Sequence, residues 1–111
     1  MVRITALIAS LLAAPVISET VDVRGRGPVD LKTFECRDIT RSTIVQRVCY
    51  DAARRHLLVA VKNVFDQYCN VPPETFAAFM NAPSMGFYFN RSINGNSSSD
   101  RYECKAYQLR G

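Results

Sequence analysis

The side chains of this chain best suited to chemistry are one histidine, four cysteines and a scatter of carboxylates. His56 is the only histidine, so a metal site built from several imidazoles is ruled out by count. Cys36, Cys49, Cys69 and Cys104 contain no Cys-x-x-Cys pair, the spacing that zinc ribbons and thioredoxin-like redox sites need. A hydrolase would need a nucleophile beside a base, and the sequence offers only His56 with Ser42 or with a free cysteine. Asp38, Asp51, Asp66 and Asp100 show no spacing that pairs two carboxylates for acid–base work. Asp51 reads as a turn residue whose side chain bonds nearby backbone. The reading is of a non-enzyme, with no catalytic, cofactor-binding or metal-binding set.

The basic side chains suggest binding instead. Eleven of the fourteen are arginine, whose planar fork suits phosphate and carboxylate groups. Arg37, Arg41, Arg47, Arg54 and Arg55 fall near the ends of the strands predicted below, with Arg47, Arg54 and Arg55 the leading candidates for an anion-binding face. Nucleic acid, lipopolysaccharide or an acidic polysaccharide would fit such a face. The formal net charge of +4 is modest for a nucleic-acid binder, and Arg24-Gly25-Arg26-Gly27 reads as a solvated loop.

These side chains sit in a chain of 111 residues, 48% hydrophobic and 22% charged. That composition excludes a disordered tail and allows one small domain. Arg3 precedes an apolar run from Ile4 to Ile17, broken only by Thr5 and Ser10. As a helix this run would reach about 21 Å at 1.5 Å per residue, against a bilayer core of about 30 Å. A basic start, a short apolar run and small residues at Val16-x-Ser18 predict a signal peptide over residues 1–18, cut after Ser18. Delivery to the periplasm or the exterior, with an even cysteine count, predicts two disulfides.

Residues 19–41 read as an N-terminal extension, of which Glu19–Leu31 is a short extended arm carrying Val21 and Val23 and ending in a turn-rich loop. Strand signals follow over Ile44–Tyr50, His56–Lys62 and Val64–Asn70. The near-continuous apolar run of His56–Lys62 marks a central strand covered on both faces. Asp51–Arg55 and Lys62–Asn63 are the turns. Pro72 and Pro73 stop the sheet and start a helix, with Phe76, Phe79 and Met80 on one face. Ser84 predicts the cap of a second helix that presents Met85, Tyr88, Phe89 and Ile93. Gly86 inside it costs about 1 kcal/mol against alanine, which a close backbone approach would offset. Asn94–Ser99 is a loop, and Tyr102–Leu109 alternates weakly enough to add a terminal strand. The fold class is α+β: a three-stranded antiparallel meander, then two short helices.

In a meander the first and third strands lie about 9.6 Å apart, beyond the reach of about 4.4–6.8 Å between bridged Cα atoms. Cys49 and Cys69 are therefore not partners. Cys36–Cys49 with Cys69–Cys104, and Cys36–Cys69 with Cys49–Cys104, both remain open.

Three runs then resemble the KTSC domain family, named after a short domain at the C-terminus of some lysyl-tRNA synthetases. They are Arg41-Ser42-Thr43-Ile44 through Val48-Cys49-Tyr50-Asp51, Tyr68-x-x-Val71-Pro72, and Ala82-Pro83-Ser84-Met85-Gly86-x-Tyr88-Phe89-Asn90-x-x-Ile93. The resemblance covers residues 42–94 and leaves 95–111 as a C-terminal loop and strand. Asp66 stands where the family's first tyrosine would be, and Asn63 where many members have glycine. The resemblance implies a small β-meander followed by helices and no established activity. RNA binding is implied by the synthetase context, with Tyr68, Ser84, Gly86, Tyr88, Phe89 and Asn90 as binding candidates. The leading expectation is a non-catalytic binding or structural module of the cell envelope, its partner an anionic envelope component or a protein. The alternative is an RNA-binding domain.

Overall fold

The computed structural model describes residues 18–94 and 101–105. The expected signal peptide, apart from Ser18, lies outside them, as do the loop residues 95–99 and the end of the expected terminal strand. Residues 101–105 form no strand.

Six strands make one sheet: β1 (Thr20–Val23), β2 (Gly27–Asp30), β3 (Glu35–Asp38), β4 (Val45–Asp51), β5 (His56–Val61) and β6 (Val64–Tyr68). Their order across the sheet is β2-β1-β6-β5-β4-β3. All neighbours are antiparallel except β1 and β6, which run parallel and meet at Val23 and Phe65. The expected three-stranded antiparallel meander is therefore corrected to a six-stranded mixed sheet. The three expected strands are its β4, β5 and β6. The other three come from the N-terminal extension, β1 and β2 from the segment read as an extended arm.

The arm folds back because Gly25 and Gly27 adopt φ values of +80° and +98°, which let a three-residue loop reverse the chain. Val23 and Gly27 close this hairpin as partners, and Arg26 N–H donates to the Val23 carbonyl at 2.9 Å. At the other edge β3 carries the sequence ECRD, mostly exposed, and charges discourage further pairing there.

The sheet must curl. Edge strands of a flat six-stranded sheet lie about 24 Å apart at about 4.8 Å per spacing. Yet β2 ends at Asp30 and β3 begins at Glu35, a stretch that reaches at most about 18 Å when extended. Leu31 and Phe34, in the link, pack with Val23, Val29, Cys49 and Leu58, so the edges turn toward that face. On the opposite face Val45, Val48, Tyr50, Leu57, Val59 and Tyr68 form the larger core with the helices. β5 serves both faces, Leu57 and Val59 one way and Leu58 the other, as its continuous apolar run predicts.

Tight turns join β4, β5 and β6. Asp51 accepts a hydrogen bond from the Arg54 N–H at 3.2 Å, the turn role expected of it. Lys62 and Asn63 both take positive φ, 52° and 67°, the two-residue turn that matches strand twist. Helix α1 (Pro73–Asn81) begins with Pro73 and buries Phe79. Helix α2 (Met85–Tyr88) runs directly into a π-helical turn over Phe89–Ile93. Among the described residues, no helix is long and apolar enough to cross a membrane.

Candidate functional site

The strand β4 and helix α2 approach each other at their leading ends, and a cleft of about 190 Å³ opens between them. Arg41, Ser42, Thr43 and Ile44 line one wall; Pro83, Ser84, Met85 and Gly86 line the other. Each wall is built by local hydrogen bonding. Ser42 Oγ accepts from the N–H groups of Ile44 and Val45 at 3.2 and 3.1 Å, which turns the chain into β4. Ser84 Oγ accepts from the Phe87 N–H at 3.2 Å and caps the helix, as its residue type predicts. Arg41 donates to the Met80 and Pro83 carbonyls at 2.8 and 3.4 Å, joining the walls at the end of α1.

Gly86 is what lets the walls meet. A Cβ at that position would lie 2.8 Å from Ile44 Cδ1. The close approach expected to offset a helical glycine is therefore that of Ile44. The rest of the run faces elsewhere. Phe89 and Ile93 are buried in the larger core, Tyr88 stacks on Phe79 with centroids 5.9 Å apart, and Asn90 is exposed. The serine–glycine–aromatic run mainly docks a helix on a sheet, and the polar ends of its partners form the cleft.

Tyr68 is also a core residue, 8% exposed and edge-on to Phe89. Burial pushes its phenol above the ordinary tyrosine range. Asp66, where the family's first tyrosine would be, takes a bidentate grip from Arg24 of the β1–β2 hairpin at 2.8 and 2.6 Å. Arg24, in the loop the sequence reads as solvated, thus ties that hairpin to β6.

The candidate arginines are largely engaged with acids and carbonyls. Arg47 binds both Glu19 oxygens, and its Nε lies 3.3 Å from Asp38. The hydrogen bond from Arg47 holds the Glu19 carboxyl below its ordinary value. Arg37 and Arg54 lie 3.9 Å from Glu35 and Asp51. Arg55 occupies the β4–β5 turn with φ 56°, and its carbonyl accepts from the Val71 N–H. Of the five candidates, Arg54 and Arg55 share the β4–β5 turn, Arg37 and Arg47 lie on the neighbouring strands β3 and β4, and Arg41 sits at the end of α1.

A second polar cluster lies on the inner face of the curl, near the β4–β5 turn. His56 Nε2 is 3.0 Å from Gln67 Oε1, which also accepts from Arg26 at 3.2 Å. Asp51, the cross-strand partner of His56, accepts from the Thr33 hydroxyl at 2.8 Å. Phe34 leans on the imidazole with centroids 5.5 Å apart. Burial lowers the His56 pKa below its ordinary value, and the Gln67 hydrogen bond partly opposes this. Sequence reading missed Arg26, Thr33 and Gln67; the only trace was the alternation of Val21, Val23 and Val29, which marks a second hairpin.

Ser42, the candidate nucleophile, does not meet this histidine. Ser42 precedes Val45, which pairs with Val61, whereas His56 pairs with Asp51 at the other end of the strands. Six residues of strand put about 20 Å between them. All four cysteines are bridged, Cys36 to Cys49 and Cys69 to Cys104, which settles the open pairing.

No curated protein matches the chain. A family model for the KTSC domain matches residues 41–96, half of the chain. Among solved structures, the crystal structure of a KTSC domain protein from Yersinia pestis is similar. It is 26% identical, with 57% of this chain and 89% of that chain covered and a TM-score of 0.53.

Proposed function

This chain belongs to the KTSC domain family, a family of unknown function, and from that premise we propose that it is an exported, non-catalytic binding or structural module of the cell envelope. One observation carries the reading. Each disulfide joins a cysteine inside residues 41–96 to one outside them: Cys49 to Cys36, and Cys69 to Cys104. The segments added to the family domain are thus fastened to it covalently, an arrangement suited to an oxidising compartment. Among the described residues, Arg24, Arg37, Arg47 and Arg54 each have a carboxylate within 4 Å, which competes with a nucleic-acid backbone for them. The cleft between Thr43 and Ser84, polar and open, is the surface offered to a partner.

The test is the intact mass of natively produced protein before and after reduction and alkylation. The expected species begins at Glu19 and is lighter than its thiol form by the hydrogens of two disulfides. A chain that retains Met1 and carries four alkylatable thiols overturns the reading. RNA binding that falls steeply with salt would then be the function to pursue.

A further inference from the structure

Among the described residues, one group of three side chains brings potential metal-ligating atoms together: His56, Cys69 and Cys104, whose ring nitrogen and sulfurs lie within 4.8 Å of one another. His56 opens β5, Cys69 directly follows β6, and Cys104 arrives from the segment after the helices. Tertiary folding alone assembles the trio, and the spacing of the cysteines gives no sign of it. We propose that reduction of the Cys69–Cys104 disulfide converts this locus into a His-Cys-Cys site for a soft divalent cation, with Zn²⁺ as its type. The proposal concerns the reduced chain: where the surroundings are oxidising the bridge stays closed and the site is not formed.

The chemistry balances with a dithiol as reductant. The dithiol gives two electrons and two protons to the Cys69–Cys104 bond and becomes a cyclic disulfide, leaving two thiols. Binding Zn²⁺ then releases both thiol protons to solvent, and the two thiolates neutralise the cation. Zinc–sulfur bonds of about 2.3 Å and zinc–nitrogen bonds of about 2.0 Å place tetrahedral ligands about 3.5–3.8 Å apart. The nitrogen already lies within that order of distance from the sulfurs. The sulfurs must part from their bonded distance to about 3.8 Å. Three protein ligands leave a fourth position for water.

The tautomer of the histidine suits the task. Gln67 Oε1 accepts from Arg26, so this carbonyl oxygen also accepts from His56, and Nε2 carries the proton. The neutral ring then has Nδ1 bare, the form a metal requires. A ligating histidine whose other nitrogen donates to a carbonyl is the usual supporting arrangement. His56 and Cys69 are buried, at 7% and 4% exposure, while Cys104 is half-buried. Cys104 is therefore the sulfur a reductant reaches first.

The experiment uses the whole protein, reduced with a water-soluble phosphine, which takes an oxygen from water to become its oxide and yields the same two thiols, and is removed before metal is added. Zn²⁺ is titrated in competition with a chromophoric chelator, Co²⁺ is used for its thiolate charge-transfer band, and circular dichroism is followed throughout. The expected result is one equivalent of Zn²⁺ bound only after reduction, with that stoichiometry kept in Cys36→Ser. His56→Gln should weaken binding at least tenfold, and Gln67→Ala by about tenfold. Equal affinity in the oxidised protein, unchanged affinity in His56→Gln, or loss of the site in Cys36→Ser would each overturn the proposal. Loss of folded structure on reduction, with binding insensitive to His56, would overturn it equally.

Discussion

Ile44 and Gly86 pack so closely that Cδ1 of the isoleucine lies 2.8 Å from where a Cβ on residue 86 would sit. This contact seats α2 against the start of β4. Gly86→Ala gains about 1 kcal/mol of helix propensity, but overpacking of a filled core costs typically 1–3 kcal/mol. The variant should be less stable by about 1 kcal/mol in urea denaturation. Removing Cδ1 with Ile44→Val in the Gly86→Ala background should recover part of the loss. If the two changes simply add, the contact is not the cause.

Tyr50 presents a second local dependence. Its hydroxyl donates to the Val71 carbonyl at 2.6 Å within the core, and its ring stacks on Phe76 at 4.2 Å. Tyr50→Phe keeps the stack and strands a buried carbonyl, which costs about 1–3 kcal/mol. Tyr50→Leu should lose the stacking as well and fall further. Equal stability of Tyr50→Phe and the parent would mean that water replaces the hydroxyl.

Much of this core is legible in the sequence. The apolar run of β5, the turn at Lys62–Asn63, the prolines at the start of α1 and the Ser84 cap each follow from local chemistry. The β1–β2 hairpin was hidden because Arg24–Gly27 resembles a terminating loop, whereas its glycines reverse the chain. β3 was hidden for another reason: Glu35–Asp38 has little hydrophobic pattern, and a disulfide to Cys49 supplies the attachment that burial would otherwise give. The candidate site was half legible. Ser84 and Gly86 were recognisable by type, but the cleft depends on Ile44 and Thr43 arriving opposite them, and the His56–Gln67–Arg26 cluster depends on the curl.

The bridges themselves should differ in worth. The Cys36–Cys49 and Cys69–Cys104 pairs close loops of 13 and 35 residues in sequence separation. Loop entropy gives about 3 kcal/mol for the shorter and nearly 4 kcal/mol for the longer at 25 °C. Paired Cys→Ala variants compared by denaturation midpoint should rank in that order. The reverse order would show that native packing around Cys36 and Cys49, not loop closure, sets the difference.

Stability should also depend on His56 in mildly acidic solution. Burial depresses its folded-state pKa below the ordinary 6.5. Below about pH 6.5 the unfolded chain therefore binds a proton that the folded chain refuses. The contribution is fully present above that pH, declines as the pH falls, and levels off below the folded-state pKa. Urea midpoints at pH 7.5 and pH 5 should diverge more in the parent than in His56→Gln. Identical divergence in both would assign the effect to another group.

The two disulfides close rings that follow one another along the chain without overlapping. Tension applied between Ser18 and Lys105 would pass from Cys36 directly to Cys49 and from Cys69 directly to Cys104. Residues 37–48 and 70–103, including both helices and both walls of the cleft, carry none of it. Full extension then releases about 130 Å of contour, against about 300 Å for the reduced chain. The helical layer is thus shielded from load, and reduction is what brings it into the force path.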